Sequence, residues 1–471
     1  MLSVVAPQDE VRAVGGQSKR LSGFTLLWIA AVLAPALISL VVVFSQMDPF
    51  PYQDDYHAIL AFAIRFREIH GVTARCLFVA AAQHNEYKLV FEHAVVAVEL
   101  ILTHRLNFSF LTAIGNLSVL PIGYVLWRGY PIDNGGLDAK LREFFPVSLI
   151  FFAVGYWETM NWSMAGLQNI PVVLFSLLAL YWLTRDVGSA MVRRPMGLAC
   201  AAAVLAACTS PNGFLLAPVG SVFLVSQRSY RRLLLWNGFF ALPLVIYLYH
   251  YQSSPHSYRS TAAIAKFFLE FLGWSVPLPW AAQVIGVLVL VITVAAIWTR
   301  FDRVSPAYFY SATWVFATAM LVAVVRGGAG WPVGARYSIY SQLLVVFCYA
   351  FLMTWLRRLG PEIRMNGLAC AVVGCLIYFP TIDANSYKSL SIRHRMTVAG
   401  IEYYEANPRV NSPMINPAVM WLFPNERADE LRDLNEAIAQ GVYALPKRKG
   451  SYDRSAGQFA PLIFWQSQSG D

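Results

Sequence analysis

The chain has 471 residues, of which 57% are hydrophobic and only 13% charged, with a mean hydropathy of +0.50. Soluble domains average about 45–50% apolar and about 25% charged, so this composition excludes an ordinary soluble globule and describes a polytopic membrane protein. The formal charge of +9 does not indicate nucleic acid, because Lys and Arg fall in short clusters between apolar runs, as the positive-inside rule requires.

A crossing needs roughly 20 apolar residues. In chain order the sequence predicts spans at 24–45, 107–127, 145–161, 169–184, 197–211, 213–227, 234–250, 279–299, 305–325, 337–356 and 366–381. The first run is too long for a signal-peptide core and lacks a small-residue cleavage site, so it is expected to remain as an anchor. The predicted fold is an all-α integral-membrane bundle of about 11 transmembrane helices, with juxtamembrane helices in a long first outer loop. Residues 1–23 read as a cytoplasmic tail, 24–381 as the membrane domain, and 382–471 as an outer tail with a short helix.

Charge sets the orientation. The proposed inside segments carry 17 basic residues, against four (Arg259, Lys266, Arg326 and Arg336) in the short outside connections. The N-terminus is therefore expected inside and the C-terminus outside. In that orientation all eight histidines fall outside or at the outer boundary, together with the polar clusters at 156–162, 210–213 and 326–337. The six cysteines form no CxxC pair and read as small core residues rather than a disulfide frame or metal site.

The loop at 46–106 is long but patterned. Asp54 and Asp55 stand adjacent about ten residues beyond the first apolar run. After them Ile59, Leu60, Phe62, Ala63, Phe66 and Ile69 have the spacing of a helix lying on the membrane surface. The polar run Gln83-His84-Asn85-Glu86-Tyr87-Lys88 follows, then a second helical stretch at 87–103 whose Lys88, Glu92, His93 and Glu99 make it a poor lone crossing. In the tail, residues 425–441 read as one amphipathic helix ending at Gly441.

The adjacent carboxylates suit either capping of the helix beginning near Tyr56 or chemistry, in which they raise one another's pKa or bind a cation together. No spaced ligand set fixes a metal geometry, so a divalent cation is a possible cofactor and no metal ligands are assigned. The glycine-rich loop Gly327–Gly334 contains no GxGxxG or Walker pattern.

A long first outer loop with an acidic pair, two juxtamembrane helices, and polar residues gathered on one face resemble the GT-C glycosyltransferases. In that superfamily an acidic residue soon after the first span is the usual catalytic base, and Asp54-Asp55 matches that position. Gln83 to Lys88 resembles the HNEHR-type element of a bacterial branch, with Tyr87-Lys88 where His-Arg is more usual. Trp157-Glu158 with Gln168, Pro211-Asn212-Gly213, and Arg336-Tyr337 also resemble that branch. The likeness covers most of the membrane region and implies a polyprenyl-phosphate-linked sugar donor and a glycan, lipid or protein acceptor, at the periplasmic face of a bacterial inner membrane.

The resemblance implies Asp54 or Asp55 as base, with Asp54 preferred. His84, Asn85, Glu86, Glu158, Gln168, Asn212 and Tyr337 become candidate substrate-binding residues, and Lys88, Arg259 and Arg336 candidate phosphate contacts. Trp157, Trp162, Trp274, Trp280 and Trp331 suit either sugar stacking or an interfacial belt. A transporter of lipid-linked glycans is the main rival. It would place ionisable groups inside its spans, whereas these spans are nearly free of them. A non-catalytic envelope assembly protein is the second rival.

Overall fold

A computed structural model describes residues 22–131, 136–185, 193–252, 260–406 and 427–445. Among these the architecture is helical, and the only strand-like pairing is an isolated bridge between His84 and Tyr87. The helices are α1 (Gly23–Ser45), α2 (Phe62–Glu68), α3 (Val72–Ala81), α4 (Val90–Thr103), α5 (Phe108–Leu117), α6 (Val119–Gly129), α7 (Gly136–Phe152), α8 (Trp157–Met160), α9 (Ser163–Thr184) and α10 (Arg193–Thr209). They continue with α11 (Leu216–Ser226), α12 (Tyr230–Leu248), α13 (Thr261–Gly273), α14 (Pro279–Trp298), α15 (Phe301–Val304), α16 (Pro306–Val322), α17 (Ser338–Leu359), α18 (Pro361–Ala406) and α19 (Arg427–Ala439).

Among the described residues, eight helical stretches are long and apolar enough to cross a membrane: Gly23–Ser45, Phe108–Gly129, Ser163–Thr184, Tyr230–Leu248, Pro279–Trp298, Pro306–Gly327, Ala335–Leu359 and Pro361–Glu402. The other three predicted spans fall on the shorter helices α7, α10 and α11. The predicted span 145–161 overruns its helix. α7 stops at Phe152, and Asp383 of α18 accepts the Val154 N–H at 2.8 Å, turning the chain into the short α8.

A helix apolar all round is either buried or faces lipid, and both kinds occur here. α9 and α17 are buried on nearly every side, whereas α1, α12 and α14 turn rows of Leu, Val and Ile outward. α5 meets α9 at a glycine pair, where a Cβ on Gly115 would lie 2.7 Å from the Gly166 carbonyl carbon. Such small-residue contacts let membrane helices approach closely.

A second hydrophobic core caps one end of the bundle. It gathers Tyr56, Ile59, Leu60, Phe62 and Phe66 of the first loop with Leu100 of α4 and Leu434 and Ala437 of α19. The stretch expected to lie on the membrane surface is therefore covered by protein. Its first part, Tyr56–Ala61, is π-helical before it continues as α2. α18 runs unbroken through residue 381, where the sequence suggested a change of character, and carries Asp383, Arg393 and His394 under the same cap.

Candidate functional site

The site lies where the capping layer meets the bundle. A cavity of about 290 Å³ is lined by Asp54, Glu86, Tyr87, Trp162, Gln168, Asn212, Tyr247, Arg326, Arg336, Tyr337 and Tyr340, with an apolar wall from Leu321, Val322 and Val325. Six of the twelve candidate residues thus share one cavity: Asp54, Glu86, Gln168, Asn212, Arg336 and Tyr337.

The acidic pair divides its work. Asp55 is buried, and its two carboxylate oxygens accept the backbone N–H of Tyr52 at 3.0 Å and of Met164 at 2.8 Å. Met164 opens α9, whose N-cap Trp162 offers no side-chain acceptor, so Asp55 satisfies an orphan donor there. Neither aspartate caps the helix beginning at Tyr56 through its side chain. Burial pushes the Asp55 carboxyl up to about 7, against the lowering effect of those two hydrogen bonds.

Asp54 faces the cavity instead. Burial alone would raise its pKa, but the hydrogen bond and charge of His84, then the charges of Arg336 and His57, outweigh it and hold the carboxyl below its usual value. Its Oδ2 is 3.9 Å from His84 Nε2. An ionised carboxylate at a cavity wall is chemically a proton acceptor.

His84 is placed by a tight turn. Its N–H and carbonyl bond those of Tyr87 at 2.9 and 2.8 Å, with Asn85 at a φ of 47° between them, a left-handed conformation that Asn tolerates. Glu86 and Tyr87 thereby reach the large cavity, while His84 and Asn85 line a second, smaller one. Tyr247 of α12 fixes the turn by donating to the Glu86 carbonyl at 2.6 Å. Lys88 is buried outside the cavity, donates to the Tyr249 carbonyl and lies 5.7 Å from that residue's ring centroid. It thereby ties the loop to the end of α12.

Arg336 sits just before α17, with its guanidinium 5.9 Å from the Trp162 ring centroid and 5.3 Å from that of Tyr337. Glu158 does not line the cavity. Its Oε2 accepts the Arg336 backbone N–H at 3.2 Å, and Thr159 donates to the Arg336 carbonyl at 3.3 Å, so α8 holds the arginine in place. Asn212 donates to the Tyr340 hydroxyl at 3.0 Å, and its carbonyl accepts the Trp314 indole N–H at 3.0 Å. Its side-chain oxygen has no hydrogen-bond partner and belongs to the cavity wall.

Arg326 also lines the cavity. It lies in a π-helical turn, Ala323–Gly327, that ends the helical stretch begun by α16, and donates to the Tyr87 hydroxyl at 3.2 Å. Such turns re-aim side chains and recur at functional sites. Tyr247 and Tyr340 were not singled out by the sequence, because each reads as an ordinary interfacial aromatic, and Tyr87 entered only as a departure from the HNEHR-type element. Of the five tryptophans considered for stacking, Trp162 alone lines this cavity. Arg259 lies outside the described residues. Among the described residues no group of three His, Cys, Asp or Glu side chains is placed to hold a metal ion.

No family model and no curated protein matches the chain. Among solved structures it is similar to the crystal structure of ArnT from Cupriavidus metallidurans bound to undecaprenyl phosphate, at 17% identity and a TM-score of 0.46, covering 87% of this chain and 76% of that chain. A likeness at this level assigns no function.

Proposed function

We propose that the chain is an integral-membrane glycosyltransferase that moves a sugar from a polyprenyl-phosphate donor to an envelope acceptor at the periplasmic face of a bacterial inner membrane. One observation carries the reading: an ionised carboxylate, Asp54, and two guanidinium groups, Arg326 and Arg336, share one cavity with an apolar wall. Sugar transfer from a lipid phosphate needs those parts together: a base for the acceptor hydroxyl, cations for the departing phosphate, and an apolar flank for the lipid. The resemblance of the sequence motifs to GT-C glycosyltransferases agrees with it.

In the proposed reaction Asp54 takes the proton of the acceptor hydroxyl as its oxygen bonds to the sugar C1. The C1–O bond to phosphate breaks, and its electron pair stays on the phosphate oxygen. Arg336 and Arg326 stabilise that charge as it develops, an effect that usually dominates such catalysis. Displacement in one step inverts the anomeric configuration. Gln168, the Asn212 oxygen and the Tyr337 ring are the groups offered to the sugar.

The test is deletion of the gene in its host, with envelope glycans compared by mass spectrometry and complementation by wild type and Asp54→Asn. Loss of one sugar residue, restored by wild type only, with both proteins equally abundant in the membrane, supports the reading. Full restoration by Asp54→Asn overturns it and favours transport or assembly.

A further inference from the structure

Behind Asp54 lies a second cavity of about 250 Å³, lined by His57, Arg65, Gln83, His84, Asn85, His93 and a few apolar side chains. His84 connects it to the first: its Nε2 approaches Asp54, while its ring stacks on that of His57 with centroids 6.5 Å apart and planes 19° from parallel. His57 Nδ1 in turn lies 3.1 Å from Asp433 Oδ2 on α19. α19 packs its Leu434 and Ala437 against the first loop, so Asp433 is fixed relative to His57. The order Asp54, His84, His57, Asp433 joins the first loop to the C-terminal helix, with the second cavity beside the two imidazoles.

We propose that His84 and His57 are the route by which the proton taken up by Asp54 leaves the site, with Asp433 of the C-terminal helix as the positioning residue that holds His57 ready to accept it. The proposal rests on the transferase reading. After transfer the proton on the Asp54 carboxyl passes to His84 Nε2, which gives up its 3.0 Å contact with the Asn85 side-chain amide to take it. Water in the second cavity then relays it from His84 to His57, whose cationic form the Asp433 carboxylate stabilises. His57 releases the proton to bulk water, and Asp54 is left ionised for the next turnover.

The charged and titratable groups around this route are few. Asp54 faces Arg336 and His84. His84 also acts on His93, which stacks on Phe62 at 4.1 Å. Arg65 lines the cavity beside His57. Arg432 lies 3.5 Å from the other Asp433 oxygen. His57 is coupled to the Asp54 carboxylate on one side and meets Asp433 through Nδ1 on the other.

The test uses the full chain in detergent with diethyl pyrocarbonate, which modifies neutral imidazole, and reads His57 and His84 by mass spectrometry across pH. The two side chains are 28% and 10% exposed and both line the cavity, so the reagent has access. In Asp433→Asn the labelling midpoint of His57 should fall by about one pH unit or more. Asp433→Glu should restore the midpoint. In the complemented deletion strain Asp433→Asn should reduce the glycan product about tenfold or more, short of the full effect of an acid–base group, and Asp433→Glu should recover it. An unmoved midpoint overturns the relay whatever the glycan shows. A shifted midpoint with full product from Asp433→Asn also overturns it. A shifted midpoint with full product from Asp54→Asn would remove the transferase reading, and the relay with it.

Discussion

Asp55 Oδ1 accepts the backbone N–H of Met164 at 2.8 Å, tying the loop after α1 to the first turn of the most buried helix in the bundle. Its neighbour Asp54 faces a cavity. Substitution should therefore separate the two. Asp55→Asn exchanges an acceptor for an amide that cannot accept twice in the same geometry. It should cost about 1–3 kcal/mol of stability, read as a lower Tm in detergent. Asp54→Asn should leave Tm near wild type while product falls at least about a hundredfold.

The same carboxylate gives stability a pH dependence. Burial raises the Asp55 pKa to about 7 in the folded protein, above the roughly 3.9 of an unfolded chain. Between those values the folded state binds more protons than the unfolded state. Stability from Asp55 is thus full below about pH 4 and is lost as pH rises through about 7. Thermal unfolding across that window should show a declining contribution in wild type that is absent in Asp55→Asn.

Asp54 titrates the other way. His84 is the main group holding its pKa below the ordinary value against burial. In His84→Gln the carboxyl should rise, leaving less of the base ionised as pH falls. Product formed by the variant should therefore decline at a higher pH than in wild type, with the largest difference in acid medium. Profiles that superimpose would show that His84 does not control the base.

Arg336 is fixed by its backbone bond to Glu158 and stacked between Trp162 and Tyr337. Lysine cannot reproduce a planar, stacked fork. Arg336→Lys should lower product about 10²–10³-fold, whereas Arg336→Ala should be no better. Glu158→Gln keeps an acceptor for the Arg336 N–H and should retain most activity. A Glu158→Gln protein as impaired as Arg336→Lys would mean that the carboxylate itself meets substrate.

Much of this was legible in the sequence because hydropathy and charge are local signals. The eight long apolar helices, the helix at Arg427–Ala439 and the grouping of Asp54, Asn212 and Arg336 at one end all follow from runs, sidedness and order along the chain. Partners distant in sequence were not legible. The apolar face of residues 56–66 has the same pattern whether lipid or α19 covers it. The charges after residue 381 looked like the start of a tail, yet the helix continues because they are satisfied by tertiary partners. Asp383 meets the Val154 N–H, His394 meets Asp48 at 2.7 Å, and Arg393 stacks on Tyr52 at 3.6 Å. Nothing local to Lys88 shows that it donates to the Tyr249 carbonyl.

A last prediction concerns the opposite end of the bundle, far from the cavity. Glu143 of α7 is buried and bonded by both Arg357 of α17 and Arg364 of α18, while Tyr349 donates to its backbone carbonyl at 2.8 Å. One carboxylate thus joins three helices. Removing one partner of a buried ion pair leaves an uncompensated charge and costs about 3–5 kcal/mol, and here two arginines would be left. Glu143→Gln should lower Tm more than Asp55→Asn does. Because α17 also carries Ser338 to Tyr340 at the cavity end, product should fall in proportion to the folded protein remaining, with its pH dependence unchanged. A shifted pH profile in Glu143→Gln would instead mean that the two ends of the bundle are coupled.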